Sequence, residues 1–84
     1  MGCFTLLTGV LAQTTVTGKV TDIDGGGIPG VSILEKGTNN GTISNAEGVY
    51  TISVAADAIL VFSFVGMQTL EESVNGRTTV DVQM

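Results

Sequence analysis

The 84-residue chain contains no histidine, no tryptophan and a single cysteine. Histidine is the usual general base near neutral pH and the commonest zinc ligand, so its absence removes the simplest catalytic and metal-binding arrangements. The lone thiol, Cys3, has no second cysteine in the chain with which to form a disulfide or a redox pair. Pairing between chains and lipid attachment stay open to it. These absences argue against an enzyme and against a metal or cofactor site.

Positive charge is also scarce. Lys19, Lys36 and Arg77 oppose eight acidic residues, which gives a formal net charge of −5. Nucleic acids require a basic face, so this balance argues against them as partners. Charged residues make up only 13% of the chain, whereas glycine, threonine and valine are frequent. That composition is typical of an all-β domain with tight turns.

The first twelve residues, MGCFTLLTGVLA, form a short apolar run that ends at Ala12, before the polar Gln13. A short apolar stretch closed by a small residue is typical of a secretory signal peptide, here cleaved between Ala12 and Gln13. The run is too short to span a bilayer as a helix, and no basic residue precedes it. We therefore predict a truncated signal peptide over residues 1–12 and an exported domain over 13–84. An N-terminal tail or edge strand is the alternative for residues 1–12.

The rest of the chain consists of short runs in which apolar and polar residues alternate. In Thr15–Asp22, for example, Val16, Gly18 and Val20 fall on one face. Period-2 alternation of this kind predicts half-buried strands. The predicted strands are Thr15–Asp22, Val31–Lys36, Thr42–Ser44, Val49–Val54, Ile59–Phe64, Met67–Val74 and Thr78–Met84. No ten-residue stretch has a helical period. About seven strands with turn signals every 8–12 residues predict a small antiparallel β-sandwich.

Turn residues separate these strands. Asp24–Gly30 is the richest turn in the chain, and Asn40-Gly41 and Asn75-Gly76 are dipeptides that tolerate the positive φ of a tight reversal. Gly48 is expected in the left-handed conformation, and Ala55–Ala58 joins two successive strands.

Three groups of residues invite a chemical interpretation. A calcium loop beginning at Asp22, with Asp24 inside it, would require an acid at its twelfth position, which is Ile33; we favour a turn. Glu71 and Glu72 are adjacent in a strand and face opposite ways, so they do not form an acid–base pair. Tyr50 lies on an apolar face, where it is expected in the core with its hydroxyl at the rim. No catalytic, cofactor-binding or metal-binding residue is predicted.

An ordered series of motifs runs from Gly18 to Gly66, within a resemblance that covers nearly everything after Gln13. The motifs are G-x-V-x-D (Gly18, Val20, Asp22), D-G-x-x-[LI]-P-G-V (Asp24, Gly25, Ile28, Pro29, Gly30, Val31), K-G-T-x-x-G-T (Lys36, Gly37, Thr38, Gly41, Thr42), [DN]-x-x-G-x-Y (Asn45, Gly48, Tyr50) and L-x-F-S-F-x-G (Leu60 to Gly66). In this order they resemble the carboxypeptidase-regulatory-like domain. The resemblance implies a seven-stranded, transthyretin-like (prealbumin-like) sandwich of immunoglobulin-like architecture.

In this form the chain is similar to the N-terminal extension of SusC/RagA-type TonB-linked outer-membrane receptors of Bacteroidota. Two positions depart from the family pattern: Met67 stands where an aromatic residue is usual, and Gly27 where proline is common. The plug and transmembrane barrel that follow this domain in the receptors are absent from these 84 residues. The resemblance therefore implies a domain and its location rather than transport itself.

The residues favour a non-catalytic, extracytoplasmic accessory or interaction module. The resemblance implies that it is the N-terminal domain or a fragment of a TonB-linked outer-membrane nutrient receptor and that it lies at the periplasmic side of that receptor. Its expected partners are proteins of the cell envelope, bound through an exposed strand edge. It is not expected to bind nucleic acid, to span a membrane or to require a cofactor. Two alternatives remain: a secreted or surface domain that binds glycan or another small ligand, and a domain appended to a carboxypeptidase.

Overall fold

In the computed structural model, which describes residues 13–84, every regular element is a β-strand. The strands are β1 (Gln13–Thr21), β2 (Ser32–Glu35), β3 (Gly41–Ile43), β4 (Val49–Ala55), β5 (Ile59–Ser63), β6 (Leu70–Ser73) and β7 (Val82–Gln83). Over this range no helix is long and apolar enough to cross a membrane. The predicted signal peptide, residues 1–12, lies outside the described residues.

The strands form two sheets, a three-stranded sheet in the order β4–β1–β7 and a four-stranded sheet in the order β3–β2–β5–β6. This arrangement confirms the predicted all-β sandwich of seven strands. Four of the five strand pairings are antiparallel, but β1 and β7 are parallel, with Val20 opposite Val82. β1 and β7 are the first and last strands, so no hairpin connects them and makes them antiparallel. The chain reaches β7 by crossing from β6 in the other sheet, and β7 runs parallel to β1.

The core lies between the sheets and is formed by the inward residues of each strand. The predicted inward faces are confirmed for β1 (Val16, Val20), β4 (Tyr50, Ile52, Val54) and β5 (Leu60, Phe62), and Val31, Ile33, Val74, Val80 and Val82 complete the core. Two predicted strands are shorter than expected, since β6 begins only at Leu70 and β7 contains two residues. Strand β5 likewise ends at Ser63, which leaves Val65 in a turn with 90% of its surface exposed.

The turn predictions are confirmed at two places. Asn75 and Gly76 have φ of 52° and 72°, as a tight reversal requires, and Gly48 has φ of 83°. A side chain at Gly48 would also approach the Val20 carbonyl oxygen to 2.6 Å.

The prediction for Asn40-Gly41 was wrong. Neither residue has a positive φ; the left-handed residue of this turn is Gly37, with φ of 83°. The Thr38 hydroxyl donates to the Glu35 carbonyl at 2.9 Å and accepts from the Asn40 N–H at 3.0 Å, which places the reversal earlier in the chain. Gly41 is therefore free to begin β3.

Candidate interaction surface

Tyr50 and Gly18 form a close-packed unit where β1 pairs with β4. The two residues are opposite each other in the ladder. Tyr50 is only 2% exposed, and its hydroxyl donates to the Val80 carbonyl at 2.6 Å. The ring therefore lies in the core as predicted, but its hydroxyl is buried rather than at the rim. Burial of the phenol, and then the nearby charge of Asp81, raise the pKa of Tyr50 to about 12.

This shift predicts a pH dependence of stability. Because the folded chain holds the phenolic proton more tightly than the unfolded chain, the contribution of Tyr50 is complete below pH 10 and is lost as the pH rises towards 12. Absorbance titration at 295 nm should place the folded transition near 12, and Tyr50 is the only tyrosine in the chain. In denaturant, the transition should move to about 10. A folded chain that titrates near 10 would contradict the buried hydroxyl.

The Asp22 carboxylate closes its own turn. Its Oδ1 accepts hydrogen bonds from the backbone N–H groups of Asp24, at 2.9 Å, and Gly26, at 3.0 Å, and its carbonyl accepts from Gly25. Such side-chain-to-backbone bonds are typical of an Asx turn. Ile33, which occupies the position of the final calcium ligand, is buried in the core. The structure thus gives Asp22 a role within the turn.

Ser44 joins the turn before β2 to the end of β3. It is buried, its hydroxyl donates to the Ile28 carbonyl at 2.7 Å, and it accepts from the Val31 N–H at 2.9 Å. The Gly30 N–H donates to the Ser44 carbonyl at 3.0 Å. Sequence reasoning missed this residue, because a serine at the end of a predicted strand carries no signal that its hydroxyl is buried.

Replacing Ser44 with alanine should lower the free energy of unfolding by about 1–3 kcal/mol. The reason is that a buried N–H and a buried carbonyl each lose their hydroxyl partner. The Ser63→Ala variant, on the outer face of the four-stranded sheet, is the matched control and should change stability by less than about 0.5 kcal/mol. Chemical denaturation measures both, and equal losses would contradict the role given to Ser44.

One side of the sandwich is closed by polar side chains that connect the two sheets. The Asn40 amide donates to the Glu35 carboxylate at 3.0 Å and to the Ser53 carbonyl at 2.7 Å. The other carboxylate oxygen of Glu35 accepts from the Ala55 N–H at 3.2 Å. These bonds tie Glu35 of β2, and Asn40 just before β3, to β4, so the facing edges of the two sheets are held together on this side.

The outer faces of the two sheets differ in chemistry. On the three-stranded sheet, hydroxyl groups meet across the strands, with Thr15 and Ser53 at 3.3 Å and Thr17 and Thr51 at 3.3 Å. The outer face of the four-stranded sheet combines aliphatic side chains with Ser32, Ser63 and the ion pair of Lys36 with Glu71. Its apolar residues are Leu34, Ile43, Ile59 and Val61, of which Ile43 is 60% exposed. The four-stranded sheet therefore presents the more apolar surface.

The side of the sandwich between β6 and β7 is open at one end. A cleft of about 320 Å³ lies there, which we call the methionine cleft; it is lined by Gly66, Met67, Gln68, Leu70, Gln83 and Met84. Met67, the residue that departs from the family pattern, is thus exposed at this cleft. At the other end of β6, the Arg77 guanidinium lies 3.3 Å from the Glu72 carboxylate.

The acidic pair on β6 is divided between two cations. Glu71 contacts Lys36 at 3.0 Å on the outer face, whereas Glu72 contacts Arg77. The two carboxylates therefore point to opposite faces, as the strand period predicts. This arrangement is typical of a charged edge strand rather than of an acid–base pair.

The aromatic side chains of the described range pack inward. Tyr50 and Phe62 are buried, with their rings 5.5 Å apart and edge to face, and Phe64 is half-buried against the core. They stabilise the sandwich, and they do not form an exposed platform of the kind that binds sugar rings.

Comparison with known proteins agrees with this architecture. Residues 16–84 match the family described as the CarboxypepD_reg-like domain. The chain is 38% identical over 74 residues to TonB-dependent receptor P39 of Formosa agariphila, with 87% of the chain and 7% of the relative covered. It is 40% identical over 84 residues to TonB-dependent receptor P3 of the same organism, with 94% of the chain and 8% of the relative covered.

The TonB-dependent receptor SusC of Bacteroides thetaiotaomicron is also similar, at 34% identity over 79 residues, with 94% of the chain and 8% of the relative covered. The chain thus spans less than a tenth of the length of these relatives. The family match includes the ladder of Gly18 with Tyr50 and the buried Phe62. The chain belongs to the CarboxypepD_reg-like domain family, and its relatives are TonB-dependent receptors.

Proposed function

We propose that this chain is a non-catalytic, exported interaction module associated with a TonB-dependent outer-membrane receptor, and that it binds proteins of the envelope at the periplasmic face. The observation that carries the proposal is the similarity of nearly the whole chain to a small part of several TonB-dependent receptors. A domain that accounts for under a tenth of such a receptor has the size of an accessory module.

The contacts of the acidic side chains support a role without catalysis. Asp22 is bonded to its turn, Glu35 bridges the two sheets, and Glu71 and Glu72 each contact a cation. Each of these carboxylates thus has a structural partner. The surface features that remain are strand edges, an aliphatic sheet face and the methionine cleft, which suit contact with another protein.

Export is tested by the N-terminus of the chain in its native host. A C-terminally tagged chain should be recovered from the envelope fraction with Gln13 as its first residue, because we propose that residues 1–12 are removed as a signal peptide. Intact Met1 on a chain recovered from the cytoplasm would contradict export.

The interaction role is tested by crosslinking intact cells and purifying the tagged chain from the envelope fraction. Mass spectrometry should identify the same envelope protein in repeated preparations, enriched over a tagged sandwich of unrelated sequence. The Thr15→Ser variant, which keeps the hydroxyl face, is the matched control and should capture the same protein. Recovery of the chain alone would contradict the proposed function.

A further inference from the structure

The sandwich has four sheet edges, and they differ in how far they are covered. Hydrogen bonds cover the outer edge of β4. Both main-chain groups of Val49 are bonded to Asn45. Further along the strand, the Ser53 carbonyl accepts from Asn40 and the Ala55 N–H donates to Glu35. Strand β3 lies beside this edge, and β7 is only two residues long. Strand β6 is the remaining edge, and within residues 13–84 no strand pairs with its outer side.

The register of β6 shows which main-chain groups face outward. The Val74 N–H donates to the Ala58 carbonyl at 2.9 Å, in line with the β5–β6 ladder. Antiparallel bonding alternates, so the main-chain groups of Leu70 and Glu72 also face β5, whereas those of Glu71 and Ser73 face the outer edge. The Ser73 carbonyl accepts from the Arg77 guanidinium. Arg77 therefore covers the far end of the edge and leaves the part around Glu71 open.

The open part of the edge adjoins the methionine cleft. Leu70, the inward neighbour of Glu71, lines this cleft together with Met67 and Met84. A strand added beside β6 would place alternate side chains against the cleft and the others beside Glu71 on the outer face. Opposite charges across a strand pair are stabilising. Glu71 contacts Lys36 at 3.0 Å, but its side chain is 48% exposed and the chain carries a net charge of −5, so a second cation can approach the carboxylate. These features describe an occupant with alternating aliphatic and basic residues.

We infer that the outer edge of β6 binds an extended segment of a partner protein, with aliphatic side chains in the methionine cleft and a basic side chain beside Glu71. This inference rests on the proposed function and adds the edge and the chemistry of the partner to it. Main-chain hydrogen bonds to Glu71 supply affinity, and the cleft and the carboxylate supply selectivity.

A capped octapeptide of alternating lysine and valine is a suitable probe, with the 84-residue chain as its target. Glu71→Pro removes the outward N–H without removing a bond of the β5–β6 ladder, since proline is tolerated where an edge N–H faces solvent. Thr51→Pro makes the same change on β4, where the bonding of Val49 and Ser53 shows that the odd-numbered residues also face outward. Glu71→Gln keeps the N–H and removes only the charge.

We expect Glu71→Pro to weaken peptide binding by about tenfold or more, Glu71→Gln to weaken it by a smaller factor, and Thr51→Pro to leave it unchanged. Circular dichroism confirms that each variant is folded. On binding, hydrogen exchange of the Glu71 amide should slow in the wild-type chain. The absence of peptide binding, or equal losses in the two proline variants, would overturn the inference. An envelope protein captured equally by the wild-type chain and by Glu71→Pro would overturn it while leaving the proposed function intact.

Discussion

Replacing Phe62 with alanine is expected to lower the free energy of unfolding by about 3–5 kcal/mol. The Phe62 ring is fully buried between the sheets and packs edge to face with the Tyr50 ring, with the centroids 5.5 Å apart. Its removal would leave a cavity that the close-packed strands of a small sandwich fill only in part. Because small domains are stabilised by about 5–15 kcal/mol in all, this substitution removes a large share of the total.

Val65→Ala is the matched control for this prediction, because Val65 lies three residues further on and is almost fully exposed. It should change stability by less than about 0.5 kcal/mol. Urea denaturation measures the free energy of unfolding of both variants. A loss below about 1 kcal/mol for Phe62→Ala, accompanied by loss of partner binding, would contradict the core position and favour a surface role.

Gly18→Ala is expected to cost about 3 kcal/mol, which is a large effect for a single added methyl group. A Cβ at Gly18 would lie 1.8 Å from the Val80 carbonyl oxygen and 2.9 Å from the Tyr50 ring. The segment that contains Val80 would have to move away from β1, and the bond from the Tyr50 hydroxyl to the Val80 carbonyl would be lost with it. One methyl group thus disturbs both the ladder and the buried phenol.

The control for Gly18→Ala is Gly26→Ala. At Gly26, a Cβ would come no closer than 3.4 Å to another atom, the Asp22 carboxylate oxygen. Denaturation curves should therefore show a loss several times larger for Gly18→Ala. In the Gly18→Ala chain, the Tyr50 absorbance transition should also fall from about 12 towards its ordinary value, because the phenol becomes exposed. Equal stability of the two variants would contradict the close approach of β1 to Val80.

The strand positions of this fold can be predicted from local pattern, because each strand has one buried face. Alternation alone places Val16 and Val20 on the same side, and likewise Leu60 and Phe62, and all four are buried. The family motifs add the sandwich architecture. The parallel pairing of β1 with β7 lies beyond local pattern, since it depends on where the chain crosses between the sheets.

The polar contacts were harder to predict than the strands. Asn40 is a good turn residue by propensity, yet its amide is used to join Glu35 to Ser53 across the two sheets. Ser44 similarly gives no sequence signal of its buried hydroxyl. Such bonds join residues that are distant in the chain. Sequence patterns, which describe only neighbouring residues, therefore do not predict the partner of either side chain.

The candidate surface was predictable in kind but not in place. A small all-β domain has strand edges whose main-chain groups can pair with another chain, and this much follows from the predicted strands. Which edge is open depends on the side chains that cover the other edges. Asn45 and Asn40, for example, lie outside β4 and bond to the main chain of its edge. It also depends on Arg77, whose guanidinium reaches back to β6.

Photocrosslinking in living cells tests the central claim, that this domain binds an envelope protein through a strand edge, most directly. A photoreactive residue placed at position 71 keeps the outward N–H of β6, and one placed at position 51 samples the covered edge of β4. We predict a crosslink to one envelope protein from position 71 and little or none from position 51. Equal crosslinking from both positions would contradict the choice of edge, and the absence of any crosslink from either would contradict the interaction role itself.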